Sequence, residues 1–172
     1  MKSLPQRADY AKRRSRATAL LIAAALGSPA DPASASSPGP SLDGFRPLVG
    51  DWVGEGSGTP GEGKGGFSFS FDLQERVLVR RNFADYPPAG GRPGFRHEDL
   101  LVVWPTEEGA SATYWDDEGH HIDYRCTASA QAWTCETQGT APGFRLEYRL
   151  VAPDRLGVAF SVSPTGKADA FM

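Results

Sequence analysis

Long apolar runs are missing from this sequence. Residues 17–26 are apolar and uncharged, but they supply only about half of the ~20 residues that a membrane-spanning helix needs, which excludes stable membrane insertion. Helical apolar periodicity is missing as well, and so is any repeat of about 20 to 50 residues, so helix bundles and solenoids are excluded. Histidine is scarce: His97, His120 and His121 are the only three, and none follows position 121. No serine or cysteine nucleophile motif, paired-carboxylate spacing or phosphate-binding loop occurs, so no catalytic residue, metal site or cofactor is expected.

Positive charge is thin outside the first 35 residues. That segment holds 6 of the 18 Lys and Arg and only 2 of the 21 Asp and Glu, which leaves 12 bases against 19 acids, a net −7, in the other 137 residues. Such a domain is repelled by nucleic acid and by anionic membrane surfaces. The early bases Lys2, Arg7, Lys12, Arg13, Arg14 and Arg16 precede the apolar run, and Ala33-Ser34-Ala35 has the form of a cleavage site. Residues 1–35 therefore read as an export signal and residues 36–41 as a flexible lead-in, placing the protein in a periplasmic or secreted compartment. A lipid anchor is not expected, because no cysteine follows the run, and Arg13-Arg14 is a weak twin-arginine match.

What remains is a chain of short strands. Phe67, Phe69, Phe71 and Leu73 alternate with Ser68, Ser70 and Asp72, and Phe144, Leu146, Tyr148 and Leu150 alternate with Arg145, Glu147 and Arg149. Turns rich in Gly, Pro and Asp separate about ten such segments, which predicts an all-β, antiparallel up-and-down barrel over residues 42–172. Residues 42–48 predict a helical turn capping one end, and residues 85–94 a long loop at the mouth. Trp52, in the glycine-rich stretch Gly50, Gly54 and Gly56, is expected to plug the capped end, so that any pocket opens at the other. The chain reaches Met172 with only the start of a further strand, which predicts closure by a short last strand or by a partner chain.

The two cysteines, Cys126 and Cys135, flank a hairpin. With Ala130 and Gln131 as its central turn residues, Cys126 faces Cys135 at a non-hydrogen-bonded pair, where Cα atoms approach to ~4.5 Å and a disulfide can form. Closing so short a loop should stabilise by no more than ~3 kcal/mol.

The Leu48-Val49-Gly50-Asp51-Trp52-Val53-Gly54-Glu55-Gly56 opening, the strand 67–71 and the strand 77–81 resemble uncharacterised bacterial lipocalin-like families of the calycin group. More distantly they are similar to nitrobindin-type haem-binding barrels. The second likeness would imply a haem-ligating histidine near the C-terminal end of the barrel; no histidine stands there, so haem binding is not carried over.

The candidate cavity lining is Phe69, Phe71, Arg81, Trp104, Tyr114 and Tyr148. Taking Val77, Val79 and Phe83 as inward makes Arg81 inward by period 2, where it would need a carboxylate or an anionic ligand group. His120 and His121 stand beside Asp116, Asp117, Glu118 and Asp123, yet neighbouring histidines on a strand point to opposite faces, and the acidic run suits a solvated turn. The leading expectation is an exported, non-catalytic barrel for a small hydrophobic or amphipathic molecule. Its alternatives are a barrel enzyme using His97, Glu98 or Tyr114, and an interaction module, including a homo-oligomer, built on an open C-terminal strand edge.

Overall fold

The computed structural model describes residues 6–13, 40–55 and 63–165. Ten strands run in order: β1 (Gln6–Lys12), β2 (Gly50–Glu55), β3 (Lys64–Asp72), β4 (Val77–Tyr86), β5 (Phe95–Thr106), β6 (Gly109–Asp116), β7 (His121–Ala128), β8 (Ala132–Glu136), β9 (Gly143–Ala152) and β10 (Arg155–Ser163). Each pairs antiparallel with its neighbours in sequence, and β1 pairs with both β2 and β10, so the sheet closes into an up-and-down barrel. Closure removes the free edges that an open sheet would present.

The closing strand comes from an unexpected place. Tyr10 pairs with Leu156 on one side and Gly54 on the other, so a strand lying within residues 1–35, the segment that reads as an export signal, fills the gap between β2 and β10. No partner chain is needed for closure while β1 is in place. The apolar run 17–26, the Ala33-Ser34-Ala35 site, most of the lead-in and the strand start at 167–172 lie outside the described residues.

A 3₁₀ turn, Asp43–Leu48, caps one end as the sequence predicts, with Leu42, Phe45 and Leu48 buried beneath it. Two indoles anchor it: Trp52 Nε1–H donates to the Leu48 carbonyl at 2.8 Å, and Trp133 Nε1–H to the Gly44 carbonyl at 2.6 Å. Both rings are almost fully buried, and their polar edges are satisfied by carbonyls that a short helix leaves free. Leu78, Val103, Ala110 and Leu156 fill the space beside them, so this half of the barrel is solid core.

The hairpin register is the one that the cysteine spacing predicts. Cys126 pairs with Cys135, Thr127 with Thr134 and Ala128 with Trp133, Ser129 N–H donates to the Ala132 carbonyl at 2.8 Å, and the two cysteines are joined by a disulfide.

Strands β4 and β5 present the opposite faces from those expected. Leu78, Arg80 and Asn82 point inward, whereas Arg81 and Phe83 lie exposed on the outer wall. On β5, His97, Asp99, Leu101 and Val103 point inward, and Trp104 is outside, 37% exposed. The physical reason is that between Val77 and Phe83 β4 carries three apolar side chains outside and only Leu78 inside, so its apolar stripe marks the outer face, while Arg80 and Asn82 on the inner face pair with Asp99.

Candidate functional site

A polar network crosses the middle of the barrel. The register sets Phe69 of β3 beside Arg80 of β4, Arg80 beside Leu101 of β5, and Leu101 beside Tyr114 of β6; one row along, Phe67, Asn82, Asp99 and Asp116 align in the same way. Arg80 ion-pairs through Nη2 with Asp99 Oδ1 and donates through Nη1 to the Tyr148 hydroxyl. Asn82 Nδ2 donates to the other Asp99 oxygen at 2.7 Å. Arg80 Nε, fully enclosed, has no acceptor among the described residues.

These groups are held in defined charge states. Burial pulls the Arg80 guanidinium down, but Tyr148 and Asp99 beside it outweigh that and raise it, so it stays charged. Burial pushes the Tyr148 phenol up to about 12 against the pull of Arg80, and burial likewise raises Tyr10, Tyr114 and Tyr124. All four phenols are neutral near neutral pH; the Tyr148 hydroxyl accepts from Arg80 and the Tyr114 hydroxyl donates to Asp116.

Above this layer the inner face changes character. Tyr10, Tyr86, His97, Tyr114, Ile122 and Phe144 point inward yet are only half-buried, which makes the end opposite the cap a cup. Phe144 and Phe160 stack with centroids 5.9 Å apart, forming one apolar wall. The wall is also slit: β8 pairs with β7 only over residues 125–128, leaving the first half of β7 facing the 137–142 connection. Ile122, Tyr124 and Phe144 line that gap from the inside, Thr137, Gln138, Thr140 and Pro142 from the connection, and Ser111, His121, Asp123 and Arg125 from the outer face, around a volume of about 430 Å³.

The rim is built by the β6–β7 turn. Asp116 closes it, accepting from the backbone N–H of Glu118 at 3.1 Å and of His120 at 2.8 Å, while its second oxygen faces His120 Nδ1 at 2.8 Å and the Tyr114 hydroxyl at 3.2 Å. Gly119, at φ +90°, makes the reversal, a conformation that side chains with a Cβ rarely adopt. Burial alone would raise the Asp116 carboxyl, but the hydrogen bonds from His120 and Tyr114 outweigh it and hold it low; the same contact raises His120. Asp117 N–H docks on the Glu98 carbonyl at 3.0 Å, setting the turn against β5.

Of the six side chains expected to line a cavity, Tyr114 points inward at the open end, with its hydroxyl 3.5 Å from His97 Nε2. Phe69 and Tyr148 are inner but buried in the middle layer, packed edge to face at 5.4 Å, where they form its floor. Phe71 is inner at the capped end, under the Arg46 guanidinium at 4.9 Å. Arg81 and Trp104 do not reach the interior, and the buried guanidinium belongs to Arg80. Glu98, considered as a proton carrier, points outward to Arg96 at 3.0 Å. Arg80 and Asn82 were not singled out from sequence, and Asp116 reads there only as part of a solvated acidic turn; the available signal was that Asp99 shares a strand face with Leu101 and Val103, so it had to be buried with a partner.

Comparison with protein-family models, with curated proteins and with solved structures finds no match to this chain.

Proposed function

We propose that the protein is a small-molecule-binding barrel of the lipocalin-like kind, exported and non-catalytic, which takes a mostly apolar ligand through the open end and the slit between β7 and the 137–142 connection. The observation that carries this reading is the gap of about 430 Å³, which Ile122, Tyr124 and Phe144 line from the inner face and polar side chains including His121, Asp123 and Arg125 from the outer one, beside inner aromatic side chains that remain half-exposed. The rim bears Asp85, Glu98, Asp116, Asp117 and Glu118 against Lys64, Arg92, Arg96, His97 and His120, so its fixed charges nearly balance and select no strongly charged end. Arg80 is already neutralised by Asp99 and is not available to an anion.

Titration of the full chain with the neutral fluorophore N-phenyl-1-naphthylamine should give saturable one-to-one enhancement. Ile122→Arg should weaken it at least ~tenfold without lowering the melting temperature. Absence of saturable binding, or an affinity unmoved by the substitution, would count against the reading.

Export fits the disulfide and the basic-then-apolar start of the chain. Cleavage after Ala35 would remove β1 and turn β2 and β10 into edges, whereas an uncleaved start keeps the closed barrel. The intact mass of the protein recovered from outside the cytoplasm separates these two forms.

A second reading, a barrel enzyme, is favoured by one contact: His97 and Tyr114 meet inside the cup, with Asp116 holding the phenol. Its test is whether a ligand that co-purifies with the protein changes mass on incubation, in a manner lost in His97→Gln.

A further inference from the structure

We infer that His97, Asp117 and Glu118 form a binding site for one divalent first-row transition-metal ion at the rim of the cup. His97 Nδ1 lies 3.3 Å from Asp117 Oδ1 and 3.4 Å from Glu118 Oε1, and the three donor atoms are all within 4.8 Å of one another. A tetrahedron with metal–ligand bonds of ~2.0–2.1 Å has edges of roughly 3.3–3.4 Å, so the two nitrogen–oxygen separations already match a shared ion. One imidazole and two carboxylates suit zinc, manganese, iron(II), cobalt or nickel, and leave a coordination position for water or ligand.

The arrangement behind His97 supports the same assignment. Its Nε2 lies 3.5 Å from both the Tyr114 hydroxyl and Asp99 Oδ2, and Asp99 is fixed by Arg80 and Asn82. That leaves Nδ1 as the ring nitrogen turned toward the Asp117 and Glu118 oxygens, and a fixed carboxylate beside the far nitrogen is the usual support of a metal-binding histidine.

The other acidic groups of the rim are already spoken for. Asp85 and Glu98 pair with Arg96, and Asp116 with His120, whereas Asp117 and Glu118 both converge on His97. The two carboxylates arrive from a turn and the histidine from a strand, and the Asp117–Glu98 backbone hydrogen bond holds the two elements together. Asp99 is a positioning residue here, not a ligand.

The test is titration of the chelator-treated full chain with Co²⁺, read by visible ligand-field absorption and by thermal shift. One equivalent should bind, and the double variant Asp117→Asn/Glu118→Gln, on an exposed turn that carries no core side chain, should lose at least ~tenfold in affinity while melting normally without metal. His97→Gln should abolish the absorption band, and Asp99→Asn should weaken binding without removing it. His121→Gln, on the outer wall, should bind like the parent. A flat titration, or an affinity unchanged in the double variant, overturns the assignment. Fluorophore binding by the metal-free chain is independent of it, so failure here leaves the apolar cup standing.

Discussion

The two ends of this barrel are made of the same alternating strands, and they differ in what stands over them. At the capped end the 3₁₀ turn seats Leu42, Phe45 and Leu48 on the strand ends, two indoles donate to its carbonyls, and the inner side chains are sealed. At the other end His97, Tyr114, Ile122 and Phe144 keep contact with solvent. The Arg80–Asp99–Tyr148 layer divides them. A barrel can thus place its stability in one half and leave the other half free to bind, provided that the boundary between them is rigid.

Four substitutions sharpen or break that contrast. Arg80→Met should have the largest effect, about 3–5 kcal/mol of lost stability, because it strands a buried Asp99 carboxylate; urea denaturation measures it, and a loss under about 1 kcal/mol would mean that Asp99 is hydrated through the cup. Trp52→Ala follows at ~3–5 kcal/mol as a core truncation that also frees the Leu48 carbonyl. It should lower the melting temperature before it alters ligand affinity, and the reverse order would dissolve the distinction between the halves.

Smaller effects belong to the rim. His120 has a raised pKa in the folded chain, from its hydrogen bond with Asp116, so its contribution is fully present below the ordinary value of 6.5 and is lost as pH rises through the folded value. Asp116, held below its ordinary 3.8, contributes above that pH and loses its contribution as pH falls through the folded value. Denaturation midpoints between about pH 6 and about pH 9 should therefore decline slightly in the parent and flatten at this step in His120→Gln; an equal slope in both would show that the pair does not hold the turn. Smallest of all, Arg81→Ala should change stability by less than about 0.5 kcal/mol, the sharpest contrast with its neighbour Arg80.

Much of the architecture was legible because it is local. The cysteine hairpin could be registered by counting outward from Ala130 and Gln131, since a two-residue turn leaves no freedom in pairing. The cap could be read from the spacing of Phe45 and Leu48. The site was less legible. On β4, Val77, Val79 and Phe83 outnumber Leu78 in apolar character, so the stripe that hydrophobicity picks out is the outer one, and Arg80 and Asn82 were hidden behind it. The rim cluster joins residues about twenty positions apart through a turn geometry that composition alone reads as a solvated tip.

Alternation, nine of the ten strands, the turns between them and the Cys126–Cys135 pairing followed from the sequence by itself, because each depends on residues within a few positions of one another. Which face of each strand is the inside, that Gln6–Lys12 closes the sheet, and that Arg80 meets Asp99 and Tyr148 were decided only by the tertiary structure. A period of two is unchanged when its faces are exchanged, and only closure of the barrel distinguishes inside from outside.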